Sequence, residues 1–339
     1  MPDPAHLVTR RRTAIEAVLA GLIGLLMSVP VFGPILGRLD SAWSQADLMA
    51  TYVNSVTWGG FTFAVSDHFG FPLGMNQRYF PGIDITENTF AWLVNSVAHT
   101  TFAGVNVLII VSFPLVAVLA YLTIRLTGLA GPLAIALAEA FTFIPFHWGR
   151  ALGHTWLAVL YSMVVGLALV LLIGSGRWQW MVTRPRRRWV AIVIVGLMVV
   201  VVAWTGVYYV AFTLILGAAA LAWRIAKRAP WKAIAIDVLP LAAIVVLAIL
   251  AFLPSVLTLR HDPPLASLGS RLPYESVTYA GALTMALLPL PWSAIPGLAA
   301  YNAKVVTAIA AAPFGESTAA TNYGTWLTSI ALVVMVVGL

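Results

Sequence analysis

The chain has 339 residues, of which 61% are hydrophobic and only 9% are charged, and its mean hydropathy is +0.93. Soluble domains carry about 25% charged residues, so this composition excludes an ordinary water-soluble protein. The chain contains no cysteine, which excludes disulfides, zinc–thiolate sites and thiol nucleophiles. A net charge of +7 would favour nucleic acid as the partner of a soluble protein. Here the basic residues follow a membrane topology instead, and we expect membrane lipids rather than nucleic acid around the chain.

Apolar runs of about 20 residues recur along the chain, which is the length that a helix needs to cross a bilayer. Continuous apolar runs exclude the alternating pattern of a membrane β-barrel. The sequence therefore predicts an all-α, polytopic transmembrane bundle that forms one domain over residues 1–339. The predicted spans are 13–33, 104–126, 129–146, 155–175, 189–204, 207–225, 233–254 and 322–339.

The first span follows three consecutive arginines and is long for the apolar region of a signal peptide, so we expect it to be retained. Most basic residues then fall in connections on the same side as the N-terminus. Short basic loops stay in the cytoplasm, so the predicted location is the inner (plasma) membrane with a cytoplasmic N-terminus. The basic residues on that side are Arg10, Arg11, Arg12, Arg125, Arg177, Arg184, Arg186, Arg187, Arg188, Arg224, Lys227, Arg228 and Lys232. The last apolar stretch ends without a flanking charge, and we expect the natural chain to continue.

Two long extracytoplasmic segments, about 34–103 and 255–321, contain most of the acidic residues. Loops of this length in a compact protein are usually functional. In the first segment, apolar residues follow helical spacing, which predicts an amphipathic helix on the outer leaflet or a loop helix packed on the spans. These residues are Trp43, Leu48, Met49, Tyr52, Val53 and Val56.

Carboxylates in the first segment are candidates for chemistry. Asp47 begins the amphipathic helix, where it is either a catalytic group or a helix cap. Asp84 and Glu87 lie three residues apart at the start of a second predicted helix that runs to His99. They form either a capping box or a substrate-binding pair. A divalent cation is a possible cofactor there, although two carboxylates do not define a metal site.

A third group contains His147, Arg150 and His154, which lie on one side of a helix if this segment is helical. A cationic strip of this kind suits an extended anion such as a phosphate or pyrophosphate. The alternative is contact with lipid headgroups at the outer interface. Tyr208, in an external turn, and Glu275, in the second long segment, are further substrate-binding candidates, against an aromatic belt and a solvated carboxylate as their alternatives.

Glu139 lies in the middle of the third predicted span, where an ionisable group normally faces the bundle and has a partner. It is either a hydrogen-bonded neutral acid or part of a proton relay. Glu16 and Asp237 lie near the cytoplasmic ends of their spans, and we expect them to reach the interface.

The order of these features resembles the GT-C superfamily of membrane glycosyltransferases, particularly its YfhO-like and actinobacterial branches. The resemblance rests on the segments that follow one another along nearly the whole chain. They are Asp47-Leu48-Met49-Ala50-Thr51-Tyr52, Phe71-Pro72-Leu73-Gly74-Met75-Asn76, Phe143 to His154, Gly206 to Tyr209, Arg271 to Glu275, and Gly315-Glu316.

The resemblance implies an inverting transfer of a sugar from a polyprenyl-phosphate donor to a glycan or lipid acceptor of the cell envelope. In the superfamily an acidic residue of the first external loop is the base toward the acceptor. Asp47 matches it by position, and Asp40 is the second candidate. The superfamily's paired-acid signature has a second acid next to the base, but here Gln45 and Ala46 precede Asp47. The identity of the base and the need for a metal therefore stay open. The alternative function is a transporter or lipid flippase, which Glu139 favours.

Overall fold

The computed structural model describes residues 4–41, 65–66, 75–76, 84–100, 102–153 and 155–261, and single positions between 297 and 307. Over these ranges the chain is almost entirely helical, with one antiparallel pair of two-residue strands, β1 (Val65–Ser66) and β2 (Met75–Asn76). The helices over residues 4–261 are α1 (Pro4–Leu36), α2 (Ile85–Ala98), α3 (Ala103–Arg125), α4 (Gly131–Thr142), α5 (Pro145–Gly153), α6 (Thr155–Ala158), α7 (Tyr161–Gly174), α8 (Arg177–Val182), α9 (Pro185–Ala203), α10 (Val207–Ala226) and α11 (Trp231–His261).

Four of these helices contain segments long and apolar enough to cross a membrane: Arg11–Pro30 in α1, and the whole of α3, α10 and α11. Helices α4 and α7 are apolar but shorter. The predicted all-α fold is therefore confirmed over the described residues, and several of its helices have the length and composition of membrane spans. Each predicted span up to 233–254 falls on a helix, except that 155–175 is divided between α6 and α7. The span 322–339 and the amphipathic helix from Trp43 to Val56 lie outside the described residues.

The long helices alternate in direction, so that polar groups collect at two ends of the bundle. One end, called the basic end, holds Arg125, Arg177 and Arg224; there Arg177 donates to the carbonyl oxygen of Leu126. The other, called the carboxylate end, holds Asp84 and Glu87 at the start of α2. The backbone N–H of Thr86 there donates to the carbonyl oxygen of Trp204 at the end of α9, over 3.1 Å.

Two acidic residues join helices at the basic end. Glu16 accepts hydrogen bonds from Arg12 on its own helix (2.7 Å), from the hydroxyl of Tyr121 on α3, and from the N–H of Gly131 at the start of α4 (3.0 Å). Asp237 is fully buried on α11 and pairs with Arg224 of α10 at 3.1 Å. Both carboxylates therefore do more than reach the interface, because each is held by a partner on a neighbouring helix.

Glycines allow several helix pairs to approach closely. A Cβ atom on Gly104 of α3 would overlap the backbone of Ala91 on α2, and one on Gly166 of α7 would overlap the side chain of Thr213 on α10. Small residues let helices pack backbone to backbone in membranes, where no hydrophobic effect drives association. These contacts hold α2 and α7 in place, and both helices supply residues to the carboxylate end.

Candidate functional site

The start of α2 is fastened to the turn between α9 and α10. Asp84 and Thr205 form an isolated antiparallel β-bridge, and the backbone N–H of Thr86, two residues after Asp84, donates to the carbonyl oxygen of Trp204. The turn continues through Gly206, whose φ of +96° is a conformation that only glycine adopts without strain. This junction brings the predicted Asp84–Glu87 pair against residues more than 100 positions later in the chain.

Glu87 is completely buried at this junction. Its Oε1 accepts a hydrogen bond of 2.7 Å from the hydroxyl of Tyr161, the first residue of α7. Its Oε2 lies 2.8 Å from the hydroxyl oxygen of Thr86. Both carboxyl oxygens therefore have a hydroxyl neighbour, which offsets much of the cost of burying a polar group.

The neighbours of Thr86 bear on the protonation of Glu87. The Thr86 hydroxyl oxygen is 3.0 Å from the carbonyl oxygen of Trp204, and it also contacts the hydroxyl of Thr205. A hydroxyl carries one proton, and a carbonyl oxygen can only accept. When Thr86 donates to Trp204, its contact with Glu87 is a hydrogen bond only if the carboxyl is protonated and donates. In the other pattern Thr86 donates to Glu87, and the carboxyl can then be ionised.

Electrostatics favour the neutral form of Glu87. Burial raises the pKa of Glu87 well above its ordinary value, and the nearby charge of Asp84 raises it further; the hydrogen bonds from Tyr161 and Thr86 oppose this without reversing it. Desolvation always disfavours the charged form of a carboxyl group. Glu87 lies outside the candidate membrane spans, so it is buried by protein at the carboxylate end. Of the two predicted carboxylates, Asp84 is the more exposed.

The predicted capping box is wrong in its side-chain contacts, although its positions are right. Asp84 is the N-cap residue of α2, and Glu87 is the third helical residue. The Asp84 side chain makes no capping hydrogen bond, and the Glu87 carboxyl faces Tyr161 and Thr86 rather than the N-cap backbone. The box does not form because Glu87 points into the bundle, where tertiary partners are available.

Tyr209 and Arg150 extend this group of residues. Tyr209, in the first turn of α10, is buried and donates its hydroxyl to the carbonyl oxygen of Leu157 over 2.6 Å. Glu87, Arg150 and Asp84 lie within electrostatic range of Tyr209, at the same end of the bundle. We call Asp84, Glu87, Arg150, Tyr161 and Tyr209 the carboxylate-end cluster. Tyr208, the predicted substrate-binding residue, is 51% exposed.

The structure does not bring His147 into a cationic strip. The ring of His147 is fully buried, stacks on Phe113 at 3.9 Å between centroids, donates from Nδ1 to the carbonyl oxygen of Thr142 (2.7 Å), and contacts Ser112. Burial lowers the pKa of His147 to about 4, so the ring is neutral near pH 7. The prediction that His147 binds an anion is corrected: it packs α5 against α3.

Of the predicted anion-binding strip, Arg150 remains a candidate for binding an anion. It is partly buried, and its guanidinium lies over the ring of Phe146 with 5.4 Å between the guanidinium carbon and the ring centroid. The other two members of the predicted strip add no positive charge among the described residues, since His147 is neutral and His154 lies outside them. The positive charge that the described residues offer at this position is therefore that of Arg150.

The other predicted site residues divide into two groups. Asp47, His154 and Glu275 lie outside the described residues. Asp40 is exposed just after α1, in a stretch held by Asn106, which donates 2.9 Å hydrogen bonds to the carbonyl oxygens of Leu39 and Ser41. Because Asn106 begins α3, Asp40 is at the same end of the bundle as Asp84.

Sequence reasoning missed Tyr161, Thr86, Thr205 and the role of Tyr209. Tyr161 is a polar residue at the start of an apolar helix, and this position was a signal in the sequence that could have identified it. The choice between Tyr208 and Tyr209 had no signal in the sequence, since it depends on which side of α10 faces the bundle.

A metal ion has little to bind in this cluster. Among the residues that the structure describes, no group of three or more histidine, aspartate or glutamate side chains could hold one. Both oxygens of Glu87 already face hydroxyl groups, so the predicted pair would offer the ion only Asp84. The described residues therefore do not fit the divalent cation that the sequence left open.

Comparisons with protein-family models, with curated protein sequences and with solved structures give no significant match to this chain.

Proposed function

We propose that the chain is a membrane glycosyltransferase of the GT-C type, which transfers a sugar from a polyprenyl-phosphate donor to an acceptor on the outer face of the membrane. The observation that carries this proposal is the carboxylate-end cluster, where Asp84, Glu87 and Arg150 lie within electrostatic range of Tyr209 at one end of an apolar helical bundle. In this scheme the lipid tail of the donor lies against the apolar helices, beside this cation and carboxylate. The resemblance described from the sequence points to the same chemistry.

The chemistry needs two kinds of groups. The acceptor oxygen forms a bond to the anomeric carbon of the sugar, while the bond from that carbon to the phosphate oxygen breaks. The acceptor proton passes to a carboxylate base, which contributes about 10²–10⁴-fold to such reactions. The polyprenyl phosphate leaves with the bonding electron pair, and a fixed cation such as the guanidinium of Arg150 stabilises its charge.

We assign the base to Asp47, with Asp40 and Asp84 as the alternatives. Glu87 is a poor base in this scheme, because its buried carboxyl is neutral and hydrogen-bonded. We assign Glu87 and Tyr161 to positioning: they fasten the start of α2, and with it Asp84, to α7. Among the described residues of the predicted strip, we assign binding of the donor phosphate to Arg150 alone.

The proposal includes the topology. We propose eight spans in the plasma membrane, with the N-terminus and the basic end in the cytoplasm and the segments 34–103 and 255–321 outside. Support comes from the helices at the first seven predicted positions and from the arginines at one end of the bundle. Short basic loops remain on the cytoplasmic side, and this puts the carboxylate-end cluster outside.

The proposal is tested with the purified protein in lipid nanodiscs, supplied with a panel of polyprenyl-phosphate sugars. We expect one donor to release polyprenyl phosphate when an acceptor extract is added. Arg150→Gln should weaken donor binding by about tenfold or more. Arg38→Gln is the control, because Arg38 is exposed at the same end of the bundle. Donor binding that is absent in the wild type, or equally weakened by both variants, would overturn the proposal.

A second candidate function, a transporter or flippase, is favoured by Glu139. This residue of α4 is 8% exposed, and neither carboxyl oxygen has a hydrogen-bond partner among the described residues. An ionisable group inside a membrane bundle commonly marks a proton or substrate path. Proton-coupled uptake into proteoliposomes that Glu139→Gln abolishes would establish this function in place of the first.

A further inference from the structure

A groove runs along the start of α9 at the basic end, away from the carboxylate-end cluster. Its volume is about 330 Å³, and it is lined by Met181, Arg186, Arg187, Val190, Ala191, Ile194 and Val195. The six lining residues of α9 form adjacent pairs, each pair four residues after the previous one. Since four residues are about one helical turn, the groove follows a single side of α9 over three turns.

Charge and apolar surface are separated along this groove. The first pair of lining residues consists of Arg186 and Arg187, and the next two turns are wholly aliphatic. The distance along the axis from the first pair to the last is about 12 Å, at 1.5 Å per residue. A ligand that fills the groove therefore needs an anionic head and an apolar portion of at least this length.

Arg186 and Arg187 are available to bind an anionic head. Neither Arg186 nor Arg187 takes part in a salt bridge within the described residues, and both are exposed. The guanidinium carbons of Arg187 and Arg184 lie over the ring of Trp180, at 5.0 and 4.3 Å from its centroid. This stacking restrains two arginines beside the mouth of the groove, and an arginine restrained in this way loses less entropy when it binds a phosphate.

The apolar part of the groove lies on the exposed surface of α9. Val190 and Ile194 are 62% and 52% exposed, and the adjoining surface of α9 carries Trp189, Val193 and Leu197, which are more than half exposed. Surface of this kind is covered by lipid chains when the protein lies in a membrane. Because the groove continues into that surface, its apolar occupant is an acyl chain rather than a soluble ligand.

We propose that this groove is a binding site for an anionic phospholipid, with the phosphate at Arg186 and Arg187 and an acyl chain along Val190 and Ile194. The proposal is independent of the glycosyltransferase function, since it involves none of the residues of the carboxylate-end cluster. A zwitterionic lipid with the same chains fits less well, because its positive headgroup faces two arginines. Basic pockets between helices at the membrane surface hold anionic headgroups in the same way.

The test uses the full chain in detergent and native mass spectrometry with phosphatidylglycerol and phosphatidylcholine of identical acyl chains. We expect phosphatidylglycerol to bind at least about tenfold more tightly. Arg186→Gln/Arg187→Gln should bring the two affinities to within about twofold of each other. The matched control is Arg11→Gln/Arg228→Gln, which removes two exposed arginines elsewhere and should keep the preference. Equal loss in both double variants would overturn the proposal, because the preference would then follow net charge alone.

Two further experiments test the apolar half of the groove and the source of the phosphate. Val190→Gln/Ile194→Gln should weaken phosphatidylglycerol binding, whereas Val193→Gln/Leu197→Gln, with equally exposed side chains outside the groove, should not. Glycerol phosphate and inorganic phosphate in excess should fail to displace the lipid, because they lack the chain. Displacement by either would assign the arginines to a free phosphate and reject the lipid site.

Discussion

Tyr161 donates its hydroxyl to Glu87 over 2.7 Å, although 74 positions separate the two residues in the chain. The bond joins the first residue of α7 to the first turn of α2 and is completely enclosed by protein. Through it, a helix that belongs to the bundle positions a helix that carries Asp84. The arrangement at the carboxylate end depends on this pair and on the Thr86–Trp204 junction beside it.

Replacing Glu87 by glutamine should remove a pH dependence of stability. The pKa of Glu87 is raised in the folded protein, so its contribution to stability is full below its unfolded pKa, about 4.5, and is lost as pH rises through the folded pKa. Wild-type thermal unfolding temperatures should therefore fall as pH rises above about 4.5, and those of Glu87→Gln should fall less. Asp84→Asn, which removes one cause of the raised pKa, should leave the onset of the fall unchanged but end it at a lower pH, so that the total loss is smaller. Parallel profiles for all three proteins would contradict the neutral carboxyl.

Removing the Tyr161 hydroxyl should destabilise the fold. In Tyr161→Phe one oxygen of the buried Glu87 loses its donor, and an unsatisfied buried polar group costs about 1–3 kcal/mol. The control is Tyr208→Phe, since the Tyr208 side chain is half exposed and its loss should be nearly neutral. Denaturant titration in detergent measures both, and equal stabilities for the two variants would refute the role of the hydrogen bond.

A methyl group at Gly104 should separate α2 from α3. The Cβ atom in Gly104→Ala would overlap the backbone of Ala91, and overpacking of this kind costs about 1–3 kcal/mol. Gly196→Ala is the matched control, because nothing lies within 4 Å of a Cβ atom there. Thermal unfolding should show a clear loss for the first variant and little change for the second. A stable Gly104→Ala protein would mean that the two helices are not in contact.

Asp47→Asn should lower turnover of the polyprenyl-phosphate sugar by orders of magnitude while donor binding and thermal stability remain. If Asp47 were only a helix cap, asparagine would replace it, because it caps about as well as aspartate. Initial rates with saturating donor distinguish these cases. Retained activity in Asp47→Asn together with a loss in Asp84→Asn would move the base to Asp84.

Two single cysteines should label from opposite sides of the membrane. The chain has no native cysteine, so His99→Cys and Arg188→Cys, both at exposed positions, give unambiguous signals. In intact cells an impermeant maleimide should modify His99→Cys, and should reach Arg188→Cys only after the membrane is opened. Labelling of both positions from one side would reverse or reject the proposed topology.

Some features of this protein were predictable because their causes are local or set by the bilayer. A helix must be about 20 residues long to cross a membrane, so apolar runs such as 104–126 and 207–225 located α3 and α10 closely. The helix from Asp84 to His99 was also expected, and the structure gives α2 as Ile85–Ala98, with His99 as its C-cap in the left-handed conformation. Its cap positions follow from residues a few places apart, which a sequence displays directly.

The side chains that meet at each end of the bundle were decided by tertiary structure alone. A membrane helix is apolar on nearly every side, so its pattern of residues does not reveal which side faces its neighbours. For this reason the sequence could not choose Tyr209 over Tyr208, or foresee that His147 is buried against Phe113. Glu16 and Asp237 likewise found partners on other helices, because a buried charge is tolerated only where hydrogen bonds or an opposite charge meet it. Those partners are distant in the chain, and helix packing brings them together.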